Sequence, residues 1–171
     1  MAKVRVTAKT RREVEARLAR IARAGGIFLD GEALRELFPD PSINTGDDYR
    51  VDDDRFVALK KGLFKLKRLE EGDASAQIWR RFENPKTGEP GATLAVPVDP
   101  HPHEVKGVHP VSEAMNAAFG GGTGVEEQLF RGVPILSVYA PVRDSFEDVV
   151  GVVEAYASLA PDRLRVDSLD Y

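Results

Sequence analysis

Cysteine is absent from all 171 residues. That removes disulfides, thiolate metal sites and cysteine nucleophiles together, and it leaves the compartment open, because cysteine-free chains occur on both sides of a membrane. A basic excess is also missing. Twenty-four Lys and Arg stand against 28 Asp and Glu, for a formal charge of -4, so the electrostatic footprint of a nucleic-acid binder is not there. No run approaches the ~20 apolar residues of a membrane span, and Met1-Ala-Lys-Val-Arg lacks the apolar core of a signal peptide. Gly120-Gly-Gly-Thr-Gly124 has no Gly-Lys-Ser/Thr ending and follows a helix instead of opening one, so it reads as a flexible linker and not as a phosphate loop.

What is present describes one soluble globular domain. Hydrophobic residues make up 42% and charged residues 30% of a chain that can bury roughly 70% of the surface its unfolded form exposes. The expected division is an N-terminal tail over 1–9, a single domain over 10–158 and a C-terminal tail over 159–171.

From Thr10 the spacing of Val14, Leu18, Ile21 and Ala22 predicts a helix with one apolar stripe, which Gly25-Gly26 should stop. Asp30 is placed to cap a short helix through Ala33, Leu34 and Leu37, ended by Pro39 and Pro41. A third helix starts at Asp52-Asp53-Asp54, whose charges favour a helix N-terminus, with Phe56, Leu59, Leu63 and Leu66 on one side. A calcium loop would need alternating acids and a distant glutamate, and this run has neither.

Period-two alternation then predicts a hairpin from 77–82 and 92–98, with Pro97 marking the second strand as an edge or its end. A short helix over 111–119 precedes a strand over 125–130. The longest β-branched and aromatic run follows, at 133–143 and 149–157, broken by Asp144-Ser-Phe-Glu-Asp148, and it predicts a second hairpin. Centring its loop near Phe146 sets Pro141 opposite Gly151, Tyr139 opposite Val153 and Ser137 opposite Ala155. One face then carries Leu136, Val138, Ala140 and Val142 with Val150, Val152 and Tyr156. The other carries Ile135, Ser137 and Tyr139 with Gly151, Val153, Ala155 and Ala157, where small side chains leave volume. Helices against an antiparallel sheet make the fold class α+β.

The segments ARIARAGGIFLDGEALREL, RFVALKKGLFKLKR, QIWRRFENPKTGEPGATLAVPVD and GVPILSVYAPVRDSFEDVVGVVEA, in that order, resemble the single-Cache, PAS-like sensor domains of bacterial signal-transduction receptors. The resemblance implies a long N-terminal helix packed on one face of a five-stranded antiparallel sheet, with a small-ligand pocket on the other. It also implies an extracytoplasmic position beside membrane spans, with a cytoplasmic soluble sensor as the fallback, and a homodimer through the N-terminal helix. The chain departs from the pattern by carrying no flanking span, and by Phe146 and Glu147 in a turn where related domains often have glycine.

Trp79 and Arg81 share one face of their strand and offer an aromatic wall and a guanidinium fork, which matches an organic-acid ligand. Asp99 resembles the acidic end of the second strand in the family and suits an amine or a turn. With Ser137 and Tyr139 these residues form the expected ligand site. His101 and His103, near Asp99 and Glu104, could present imidazoles to zinc or nickel, but a short proline-rich loop reads first as an exposed connection. His109 and Ser112 are retained as the one pair for nucleophilic chemistry, without the local context of a known triad. The leading expectation is a non-enzymatic small-molecule sensor with no cofactor or metal. The alternatives are a small α+β enzyme acting on an organic molecule, or a dimerisation module.

Overall fold

Alternating apolar residues in the last two strand segments build the centre of the sheet. The computed structural model describes residues 8–43, 51–98, 107–130 and 132–160. Strands β1 (Ser75–Glu83), β2 (Pro90–Val96), β3 (Gly124–Phe130), β4 (Val133–Arg143) and β5 (Val149–Ser158) form one antiparallel sheet in the order β2-β1-β5-β4-β3. Among the described residues the last strand in sequence, β5, is therefore the central strand in space. The β1–β2 and β3–β4–β5 units close locally, and the β1–β5 pairing alone joins them. As Pro97 suggested, β2 is an edge strand that ends at Val96.

Helices α1 (Ala8–Phe28), α2 (Gly31–Leu37) and α3 (Asp54–Lys67) cover one face, and α4 (Glu113–Phe119) lies on the other. The expected stripes are the buried ones: Leu18, Ile21 and Ala22 of α1, Leu34 and Leu37 of α2, and Phe56, Leu59, Leu63 and Leu66 of α3. Their caps form as the sequence indicates. Asp30 accepts a hydrogen bond from the Ala33 amide at 3.2 Å, and Asp53 accepts one from the Arg55 amide at 2.9 Å. The result is the expected α+β architecture, a long N-terminal helix on a five-stranded antiparallel sheet, consistent with a PAS-like fold. Among the described residues no helix is long and apolar enough to cross a membrane.

Three expectations need correction. First, Gly25-Gly26 does not stop α1, which continues to Phe28. The glycines let the helix rest on the sheet: a Cβ at Gly26 would lie 2.4 Å from the Pro141 carbonyl oxygen, and one at Gly25 3.2 Å from Val153. Close approach, not termination, explains the pair. Second, the 120–124 run is not a loose linker. The Gly120, Gly121 and Gly122 amides donate to carbonyls of α4 at 2.9, 3.0 and 2.9 Å, and Gly124 opens β3 so close to α4 that a Cβ would fall 2.0 Å from the Ala114 oxygen.

Third, the β4–β5 register differs by one residue. Pro141 pairs with Val152, Tyr139 with Glu154 and Ser137 with Tyr156. The pairing shifts between Val142 and Arg143, where Val142 faces Gly151 but Arg143 faces Val149. That irregularity, beside a turn in which Glu147 takes φ 68°, adds the residue that symmetrical counting omits. Because side chains alternate, the slip turns β5 over from Gly151 onward, while Val150, beside the irregularity, stays against the helix-side cluster as expected. Val153, Ala155 and Ala157 pack against the helices, while Val152 and Glu154 join Tyr139 on the opposite face.

Adding one methyl group at Gly26 tests the close approach. Helix propensity alone favours Gly26→Ala by about 1 kcal/mol, whereas the clash with backbone predicts a loss of about 1–3 kcal/mol in urea unfolding. A gain in stability would contradict the packing described.

Candidate functional site

The face of the sheet away from α1 carries polar side chains in line across the central strands. Gln77 of β1 and Tyr139 of β4 stand directly opposite Glu154 of β5 on either side, and Gly124 of β3 stands opposite Tyr139. Glu154 is 7% exposed. Its Oε1 accepts from Trp79 Nε1 at 2.7 Å and from Gln77 Nε2 at 2.8 Å, and its Oε2 accepts from Ser137 Oγ at 2.6 Å. A second carboxylate, Glu126 on β3, accepts from the Tyr139 hydroxyl and from Gln128 Nε2. Five donors from three strands thus converge on two carboxylates, and a buried carboxylate is tolerated only when it is so served.

Above this floor lies a cavity of about 400 Å³. Its floor is Gln77, Trp79, Tyr139 and Glu154, its rim includes Glu126 and Gln128, and its roof is the 109–112 segment with Met115 of α4. The roof is held in two ways. His109 and Ala92 exchange backbone hydrogen bonds at 2.8 and 2.9 Å, and Ser112 Oγ accepts from the Met115 amide at 3.1 Å as the N-cap of α4. The His109 ring meets Trp79 edge-on, with centroids 5.1 Å apart. The Ser112 hydroxyl is therefore engaged as a cap. The size suits a small organic molecule, and the lining mixes apolar walls with a few placed polar groups.

Burial pushes the Glu154 carboxyl above the usual carboxylate range; its three donors pull it back part-way, and the Glu126 charge adds to the rise. The Tyr139 hydroxyl is raised well above the usual phenol value, first by burial, then by the Glu154 charge and its bond to Glu126.

Three of the five residues expected from sequence meet here. Trp79 and Tyr139 line the cavity, and Ser137 stands behind Glu154. Arg81 lies elsewhere. It is exposed, 5.0 Å from the centroid of the Phe119 ring, in a separate groove with Arg35, Phe38 and Arg80. The guanidinium on which an organic-acid ligand was expected to sit is thus not part of this cavity. Arg80 points to the helix side, as a regular strand requires, and donates to the carbonyls of Phe38 and Asp40 at 2.9 and 2.6 Å. Asp99, His101 and His103 fall outside the described residues. Sequence reasoning missed Glu154, Glu126 and Gln77. Glu154 had a visible signal, as the one charged residue in Val149-Val-Gly-Val-Val-Glu-Ala-Tyr-Ala157.

The raised Glu154 carboxyl makes stability depend on pH in a definite direction. Its folded-state value lies above its ordinary 4.5, so the native chain holds this proton more tightly. The contribution is complete below 4.5 and is lost as pH rises through the folded-state value. Glu154→Gln keeps an acceptor for Trp79 and Gln77 while removing the charge. Its melting temperature relative to wild type should therefore rise as pH is raised from about 4 to 8. A difference independent of pH would contradict a buried titrating Glu154.

Neither a scan against models of known protein families nor a search of curated proteins finds a match to this chain.

Proposed function

We propose that the chain is a small-molecule-sensing domain of a bacterial signal-transduction protein, which binds a small organic ligand between the sheet and α4 and relays the bound state to an output domain. The observation that carries this reading is the cavity of about 400 Å³ floored by a hydrogen-bonded polar cluster on the central strands. For stability alone, well-packed apolar residues often serve as well as or better than a buried charged group at such a position.

The same strand suggests the relay. Glu154 faces the cavity, and its neighbour Val153 packs against α1, close enough that a Cβ on Gly25 would lie 3.2 Å from it. A ligand that binds unequally to two settings of β5 therefore biases how α1 sits on the sheet, and unequal affinity is all that signalling requires. On the resemblance to single-Cache domains, the sensor belongs on the extracytoplasmic side of a membrane. Pairing of two copies along α1 has some support in Ile27 and Phe28, which leave its C-terminal end 90% and 61% exposed.

One observation favours a second reading, conversion of the bound molecule. A carboxyl with a raised pKa in a cavity is the kind of group that serves as a general acid or base. Turnover of the bound compound would decide for it.

Binding is tested by thermal shift with a panel of small acids, amines and neutral polar molecules. At least one should raise the melting temperature by several degrees, with the rise lost in Trp79→Ala and Tyr139→Ala variants that still unfold cooperatively. A flat response across the panel, or a rise that both variants retain, would overturn the reading.

A further inference from the structure

Gln77 carries an unused acceptor. It is 4% exposed and lines the cavity, and its Oε1 has no hydrogen-bond partner. The orientation of the amide is fixed by its neighbours. Trp79 Nε1 and Ser137 Oγ already donate to the two oxygens of Glu154, so with Glu154 ionised it is the acceptor of the group, and Gln77 turns its NH2 towards it. The carbonyl end is then left without a donor. A buried acceptor in that state is destabilising, and a donor brought by a ligand removes the penalty.

The remaining polar groups agree on what kind of donor that is. Glu154 and Glu126 both belong to the cavity, and each raises the proton affinity of groups around it. Among the described lining residues there is no lysine or arginine, and His109 is the one basic side chain. An anion placed here would lie beside two acidic side chains with no described lysine or arginine to offset them, which is repulsive. A cation meets the Glu126 carboxylate, a Glu154 carboxyl whose ionised form it would stabilise, an open acceptor and the aromatic side chains of Trp79 and Tyr139, which favour an organic ammonium.

Resting on the sensing reading above, we propose that the ligand is a small organic cation whose primary ammonium group donates to Gln77 Oε1 between Glu154 and Glu126. Its carbon skeleton lies along Trp79 and beneath Met115. Gln77 is then a specificity-determining residue: it selects for a donor at this point, while the two carboxylates select for positive charge.

Matched probes separate charge from shape. Butylamine, butanol and butyrate, and phenethylamine beside phenylpropionate, are titrated into the whole chain by calorimetry, with melting temperatures measured in parallel. The amines should bind and stabilise, and the carboxylates should do neither. Gln77→Leu and Glu126→Gln should each weaken the amine by about tenfold or more, with circular dichroism and cooperative unfolding like wild type. Should Gln77→Leu fail to fold, Glu126→Gln at the half-exposed rim carries the comparison alone. Butyrate or butanol binding in the cavity as tightly as butylamine would overturn the cation assignment and leave sensing intact. Amine affinity unchanged in both variants would place the amine elsewhere and overturn it as well. Failure of these probes together with a flat response to the wider panel would remove both the assignment and the sensing reading.

Discussion

A carboxylate buried at the centre of the sheet governs how the other parts fit. Glu154 sits on β5 and takes hydrogen bonds from β1 on one side, through Gln77 and Trp79, and from β4 on the other, through Ser137. A buried carboxylate stripped of its partners costs several kcal/mol, so the register that supplies those partners is strongly preferred over its neighbours. A slip of one residue along β5 would turn Glu154 into the layer filled by Val138, Ala140 and Leu18, where no donor meets it. The same slip would put Val153 into the cavity. Register, core and site are therefore specified by one residue.

The sheet divides its two faces accordingly. On the helix side apolar residues from α1, α2 and α3 close over Leu136, Val138, Ile78 and Val153, and glycine brings the helix backbone near Pro141. That side supplies stability. On the other side α4 is short, seven residues, and it is held near β3 where Gly124 presents no side chain. Because α4 covers only part of the face, Trp79, Tyr139 and Glu154 are roofed but not filled in. The incomplete packing that would weaken an ordinary core is what leaves room for a ligand.

Much of the fold could be read from residue spacing. The strand limits at Val133, Arg143 and Val149, the Asp30 and Asp53 caps and the stripe from Phe56 to Leu66 stand where apolar period and turn chemistry put them. These are local properties, decided within a few residues. Trp79, Ser137 and Tyr139 could be placed on a common face for the same reason. Glu154 could not, because its orientation depends on an irregular pair at Val142 and Arg143 and on a turn containing a left-handed glutamate, and neither leaves a mark in composition. Gly25 and Gly26 misled in the opposite way: as sequence they are helix breakers, and only the position of Pro141 on another element makes them packing residues. Arg81 was placed on the correct face, but lateral distance along a sheet has no period to reveal it, and it lies over Phe119 outside the cavity.

Glu154 and its donors form the floor of the proposed ligand site. Trp79 is the only tryptophan in the chain, and its indole N–H bonds to Glu154 at 2.7 Å. One indole cross-peak in a ¹⁵N–¹H spectrum therefore reports on this floor alone. In a titration with butylamine that peak should move in step with the calorimetric binding curve, and it should stay still when butyrate replaces the amine. A compound that binds the chain and raises its melting temperature while leaving the indole peak in place would contradict a ligand site at this floor.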